Sequence, residues 1–232
     1  MSARVPGQGP RRLRSKEPQR IDLPELVRQL RARIASQDIP PASRLREQDM
    51  AEELGISRAH ARDVLDALVY MGFAERTPNK GVVVPRLTRE SILQLFEVRA
   101  INEGHCARLA AANSRPGDWD DLIALFGKPT EAALARGDFA AYEENYTQLW
   151  QRILAASGNP YLVEILQELY EKTHIYGRRL IVFNNRAQVA LKEHRALLSA
   201  LRAGKAEEAE RLRRATLANL RALFDQYSSY IL

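Results

Sequence analysis

Two arginines four residues apart, Arg58 and Arg62, follow the tripeptide Gly55-Ile56-Ser57. In an α-helix that spacing leaves the two side chains about 40° apart, on one face. The face borders the apolar stripe of Val64, Leu65, Leu68 and Met71 without overlapping it, so both guanidinium groups reach outward. A guanidinium is a planar fork that grips a guanine edge or a phosphate at two points. The chemistry on offer is recognition of nucleic acid. The competing use is ion pairing with Asp63 or Asp66 across a helical turn. Ser57 serves either as a helix cap or as a phosphate donor. His60 is either a surface residue or a further contact. Lys80 and Gly81 fall in the turn Pro78-Asn79-Lys80-Gly81, where a cation and a main chain without Cβ allow close approach to a DNA backbone.

A second set lies in the C-terminal half. Tyr142, Tyr146 and Trp150 recur at i, i+4 and i+8; His194 shares an apolar face with Leu191, Leu198 and Leu201; Arg99 shares one with Ile92, Leu95 and Cys106; Tyr170, His174 and Arg178 form a polar stripe. A buried arginine needs an acidic partner, because an unpaired buried charge is costly. That partner is either a small anion's carboxylate or phosphate, or a protein carboxylate such as Glu103. Likewise, the aromatics either shape a cavity or fill the core. On the first alternative, Arg99, Tyr146, Trp150, Arg178 and His194 form a pocket for a small organic acid. Catalysis rests only on His194, Glu193 and the tyrosines as acid–base groups. Cys106 has no activating basic neighbour, and no nucleophile elbow, phosphate loop or metal-hydrolase motif is present.

The elements that hold these residues are mostly helical. Leu26, Val27, Leu30 and Ile34 stripe a helix over 22–37, which Pro40-Pro41 stops. Short helices are expected over 46–54 and 58–71, with Gly55 and Gly72 as their terminators. Strand-like segments 73–76 and 81–84 flank the Pro78–Gly81 turn. Helix, helix, tight turn, helix, β-hairpin is the order of a winged helix-turn-helix. Beyond Thr88 the periodicity predicts helices over 89–112, 118–135, 138–157, 160–181, 186–203 and 206–229, with Gly127-Lys128-Pro129 kinking or splitting the second. Short loops make neighbours antiparallel, so the expected fold is a mostly α chain whose C-terminal part is an antiparallel all-α bundle. The divisions are a disordered basic tail over 1–20, the winged helix over 21–87 and the bundle over 88–232.

Composition narrows the setting. With 45% hydrophobic and 28% charged residues the chain can pack a core, which excludes disorder throughout. A single cysteine excludes a disulfide-stapled scaffold. No apolar run approaches the about 18 residues of a membrane span, and the Arg-rich start lacks a hydrophobic signal core. A cytoplasmic protein with no membrane partner is the expectation. The charge of +6 is concentrated, because residues 1–20 hold six bases against Glu17. That tail is either a solvated extension or an arm touching DNA phosphates.

The stretch LREQDMAEELGISRAHARDVLDALVYMGFAERTPNKGVVV resembles the winged-helix domain of the GntR transcription regulators, through Leu45, Glu47, Ala51, Leu54-Gly55-Ile56-Ser57-Arg58, Arg62, Leu65, Leu68, Gly72, Asn79 and Gly81. The remainder is similar to the helical effector domain of the FadR-like branch. Its cues are Glu97-Val98-Arg99 to Glu103, Ala156-Ser157-Gly158-Asn159, Glu193-His194 and Ala203-Gly204. The resemblance implies a homodimeric regulator, with Arg46, Gln48, Ser57, Arg58, His60, Arg62, Lys80 and Gly81 at an operator and a small effector in the helical domain. Two departures stand out: Gln48 where many members have Arg, and Pro41-Ala42 where many have Pro-Gly. A third concerns metal. Members of this branch often hold a divalent ion with one Asp and three His; the corresponding positions here are Tyr146, Trp150, His194 and Thr216. One imidazole cannot hold an ion that needs three or four protein donors, so no metal and no other cofactor is expected. The alternatives to an effector-controlled repressor are a dimeric DNA-binding protein without effector and a small helical enzyme.

Overall fold

Asp22 starts the first helix: its carboxylate accepts the Glu25 N–H at 3.3 Å, and α1 runs Leu23–Ala35 with Pro24 in its first turn. The computed structural model describes residues 22–232, so the expected tail over 1–20 lies outside the described residues. Next come β1 (Arg44–Leu45), α2 (Glu47–Leu54) and α3 (Arg58–Tyr70). Gly55 ends α2 at φ 66, in the left-handed region that a Cβ disfavours. Ser57 caps α3 by accepting the His60 N–H on Oγ at 3.2 Å. A hairpin of β2 (Glu75–Thr77) and β3 (Gly81–Val83) follows, with Arg76 opposite Val82. Leu30, Ala61, Val64, Leu65, Leu68, Phe73 and Val82 pack beneath these elements as one apolar core.

The sequence-based expectation differs in two places here. The segment 73–76 is not yet strand at its start, because the N–H groups of Phe73 and Ala74 both bond back to the Leu68 carbonyl and close the end of α3. And β1 is a third strand that was not foreseen. It pairs antiparallel with β3, Leu45 opposite Val82, so the sheet order is β1-β3-β2. Two residues carry no alternation to read; the strand exists because β3 offers an unpaired edge.

The C-terminal part is built of α4 (Arg89–Asn113), a 3-10 turn (Pro116–Trp119), α5 (Asp120–Leu125), α6 (Lys128–Ala135), α7 (Phe139–Ser157), α8 (Pro160–Leu180), α9 (Arg186–Arg202) and α10 (Ala206–Ile231). The expected helix over 118–135 is split: Gly127 caps a new helix and Pro129 sits in its first turn, where a missing N–H costs nothing. Asn184 and Asn185, at φ 46 and 52, turn the chain between α8 and α9. The long helices α4 and α10 pack against each other, with α7, α8 and α9 around them. Two apolar clusters form, one around Trp119, Phe126 and Leu149, the other around Phe96, Tyr176 and Phe224. Arg99 touches both, its guanidinium 5.6 Å from the ring centres of Phe96 and of Tyr170. Among the described residues no helix is long and apolar enough to cross a membrane.

Candidate nucleic-acid interface and ligand cavity

The three residues between α2 and α3 place the start of α3 at the surface. Arg46, Gln48, Ser57, Arg58 and Arg62 are exposed, and so are Lys80 and Gly81 at the hairpin tip. Asn79 and Gly81, at φ 64 and 78, bend that tip through the left-handed region. Arg62 is 59% exposed yet not unpartnered: its Nε and Nη2 donate to the two Glu47 oxygens, each at 2.9 Å. Glu47 takes the place of the two acids that spacing offered: Asp66 pairs with Arg76 instead, and Asp63 has no ion-pair partner among the described residues. The hydrogen bond from Arg62 lowers the Glu47 carboxyl below its usual value. Gln48 donates to Glu52 at 3.1 Å. His60 is half-buried, and its Nδ1 has no partner among the described residues. Among the described residues Arg58 has no ion-pair partner, and its exposed fork faces solvent, where DNA phosphates or bases can reach it.

The second set converges on a cavity among α4, α7, α8, α9 and α10. Its walls include Arg99, Tyr142, Tyr146, His194, Arg213 and Leu217, with Arg178 and Glu143 paired at 2.7 Å among them. The volume is about 90 Å³. A water occupies roughly 10–15 Å³ by that measure, so the space suits a small organic molecule or several waters.

At its inner end lies a triad. Arg99 donates from Nε to Glu103 at 2.6 Å and from Nη1 to Thr173 at 2.9 Å. Arg213, from α10, grips the other Glu103 oxygen with Nε at 2.8 Å and with Nη2, which also donates to the Tyr146 hydroxyl at 2.8 Å. Arg99 is 3% exposed, Glu103 0% and Arg213 2%. Burial alone would raise the Glu103 carboxyl; Arg213 and Arg99 outweigh it and hold it below the usual range. His194 stacks on Tyr146 at 5.1 Å and shares a hydrogen bond with the Tyr142 hydroxyl at 3.3 Å. Burial, then the nearby Arg213 and Arg186, push its pKa well below 6.5, so the imidazole is neutral. His174 shifts the same way through burial.

This geometry amends the reading from spacing. Arg99 has a protein carboxylate, Glu103, so it is not a lone cation awaiting a ligand. Trp150 is not a wall of the cavity. It packs in the core under the Arg213 guanidinium, 4.9 Å from its ring centre. Tyr146, Arg178 and His194 do line the cavity. Arg213 was missed, because it lies in the charged run Arg211-Leu212-Arg213-Arg214 and looks like a solvated face. Its one cue is position: Arg213 falls on the stripe of Ala209, Thr216 and Leu217.

Residues 24–84 match the profile described as bacterial regulatory proteins, gntR family, and residues 94–219 match the FCD domain. The chain belongs to the GntR family. It is similar to the Nta operon transcriptional regulator of Aminobacter aminovorans, 26% identical over 80% of this chain and 85% of that protein. It is likewise 26% identical to the HTH-type transcriptional regulator McbR of Escherichia coli over 82% of this chain and 87% of the relative. The solved structure of Escherichia coli McbR/YncC shares the fold, with a TM-score of 0.69 at 23% identity, over 89% of this chain and 99% of that one. This GntR-family chain is a transcription regulator with an FCD domain, and not an enzyme.

Proposed function

We propose that the chain is a homodimeric repressor that grips a pseudo-palindromic operator with α3 and the β2–β3 hairpin and loses affinity when a small organic acid enters the helical cavity. Arg58, Arg62 and Ser57 meet the major groove. Arg46, Gln48, His60, Lys80 and Gly81 complete the contact. A dimer seated on an operator excludes other proteins from the same DNA, hence repression.

The observation that carries the regulatory part is the two-faced character of α8. One face lines the cavity through Tyr170, His174, Gly177 and Arg178. The other holds the DNA-reading part: Glu171 accepts from Arg31 at 2.8 Å, and Lys172 donates to the Met71 carbonyl at 2.9 Å and lies 5.1 Å from the Phe73 ring centre. A ligand that moves α8 therefore changes the seating of α1 and the end of α3. It can do so only through different affinity for the two arrangements. The cavity stays open beside its aromatics, which favours this reading over a bundle that only dimerises.

The test is fluorescence anisotropy of operator DNA with and without an organic-acid library, on wild type and Lys172→Met. The expected result is a ligand that weakens wild-type DNA binding at least tenfold, and a Lys172→Met protein that binds the same ligand but transmits less than half of that effect. Unchanged transmission in the variant would refute α8 as the link. DNA binding that no library member alters would refute the effector.

A further inference from the structure

The family resemblance assigns a metal set of one Asp and three His to the positions of Tyr146, Trp150, His194 and Thr216, and the residues that stand there do not fit an ion. Trp150 has no donor lone pair to offer. Thr216 spends its hydroxyl on the Leu212 carbonyl at 3.2 Å. Tyr146 accepts from Arg213, whose guanidinium lies 5.8 Å from the Tyr146 ring centre and 4.9 Å from that of Trp150. Among the described residues no group of three His, Cys, Asp or Glu side chains is placed to hold a metal. A fixed guanidinium beside the one remaining imidazole also repels a second cation.

We propose that Arg213 is a tethered cation standing in for that metal, and that with Arg99 it seats the carboxylate of a small, singly charged organic anion. The inference rests on the cavity being the effector site proposed above, and it specifies the ligand's charge and the atoms that hold it.

Charge arithmetic supports a single negative charge. Arg99 and Arg213 share one carboxylate, Glu103, so this buried triad carries one excess positive charge. The other cavity arginines are neutralised: Arg178 by Glu143 and Arg186 by Glu193, at 2.7 and 2.8 Å. The two histidines are neutral by burial. An uncompensated charge away from water is costly, and a bound monoanion removes that cost.

Donor geometry supports a carboxylate. Arg99 uses Nε and Nη1, and Arg213 uses Nε and Nη2, which leaves Arg99 Nη2 and Arg213 Nη1 without a protein acceptor among the described residues. Both guanidinium groups already flank the two oxygens of one carboxylate, Glu103. A second carboxylate on the cavity side, taking one N–H from each arginine, repeats that arrangement with charge-assisted bonds. Leu217, Leu220 and Ile181 supply apolar wall for the rest of the molecule.

The experiment uses three probes of one shape, benzoate, benzamide and benzamidine, and a fourth, phthalate, that adds a second carboxylate to the same ring. Calorimetric titration and thermal shift are run on the full chain after dialysis against EDTA, and again with added zinc. Benzoate is expected to bind and raise the melting temperature equally in both preparations. Benzamide and benzamidine are expected not to bind, and phthalate to bind at least tenfold more weakly than benzoate. Arg213→Met, in which Glu103 keeps Arg99 as its partner, is expected to weaken benzoate at least tenfold, and Arg213→Lys to recover part of that loss. Circular dichroism monitors the fold of both variants. Binding that requires zinc, binding of benzamidine equal to benzoate, undiminished binding to Arg213→Met, or no binding of any probe to wild type would each overturn the proposal. Operator binding by wild type is measured in parallel. If it persists while no probe binds, the tethered-cation inference alone has failed; if it is absent, the regulatory reading has failed.

Discussion

Changing Glu103 to Gln removes the single negative charge from a site where two arginines face it. Glu103 is completely buried and accepts from Arg99 Nε at 2.6 Å and Arg213 Nε at 2.8 Å, with Arg213 Nη2 on the same oxygen. Breaking a buried pair by deleting one partner costs about 3–5 kcal/mol, because the remaining charge is left uncompensated. Here two charges remain, and the triad goes from one excess positive charge to two. A loss of about 3–5 kcal/mol in unfolding free energy is therefore expected for Glu103→Gln. The control is Arg99→Met, which leaves Glu103 neutralised by Arg213. It forfeits the Thr173 hydrogen bond at 2.9 Å and the guanidinium contacts with Phe96 and Tyr170, about 1–3 kcal/mol. The deleted anion should thus cost more than the deleted cation, although the two substitutions break the same ion pair. Urea titration followed by far-UV circular dichroism measures both. Urea is preferred to guanidinium chloride, whose ions would themselves compensate the exposed charge. A loss under about 1 kcal/mol for Glu103→Gln, or one no larger than that of Arg99→Met, would refute the buried-cluster argument.

Arg58→Ala should weaken operator binding by about 1–3 kcal/mol, and Glu47→Ala should strengthen general DNA binding and steepen its salt dependence by about one phosphate's worth, because it frees Arg62. Anisotropy titrations from low to physiological salt decide this, and an unchanged slope would place Arg62 away from the phosphates. Folding stability should hold above pH 6.5 and fall below it: unfolding lets His194 take a proton at its ordinary pKa of 6.5, while the folded state resists protonation until a much lower pH. One such group removes about 1.4 kcal/mol one pH unit below 6.5, and His174 adds in the same direction. Urea midpoints between pH 7.5 and 5.5, compared with His194→Gln, check the sign; a flat wild-type profile would refute a buried neutral imidazole.

Local signals sufficed for the reading elements. The Gly55 terminator, the Ser57 cap and the Val64–Leu68 stripe act within a few residues of one another, so the helices around Arg58 follow from nearest-neighbour chemistry. The same holds for the helical course of the C-terminal half and for the break at Gly127, where helix propensity, proline and glycine act over one or two turns. Partnership was different. Spacing along the helix offered Asp63 and Asp66 as partners for Arg62; the partner is Glu47, which only the packing of α2 against α3 brings within 2.9 Å. Arg99 pairs with Glu103 one turn along its own helix, a partner that spacing suggested, but Glu103 is shared with Arg213, which lies 110 residues away. Helical periodicity assigns a residue to a face. It does not say which face of another helix will cover it or which charges will share one carboxylate. The winged helix, the bundle and the arginines at the start of α3 were therefore determined by the sequence alone. The triad, the exclusion of Trp150 from the cavity and the double role of α8 were decided by tertiary packing, because they depend on contacts between segments whose separation in the chain carries no periodic signal.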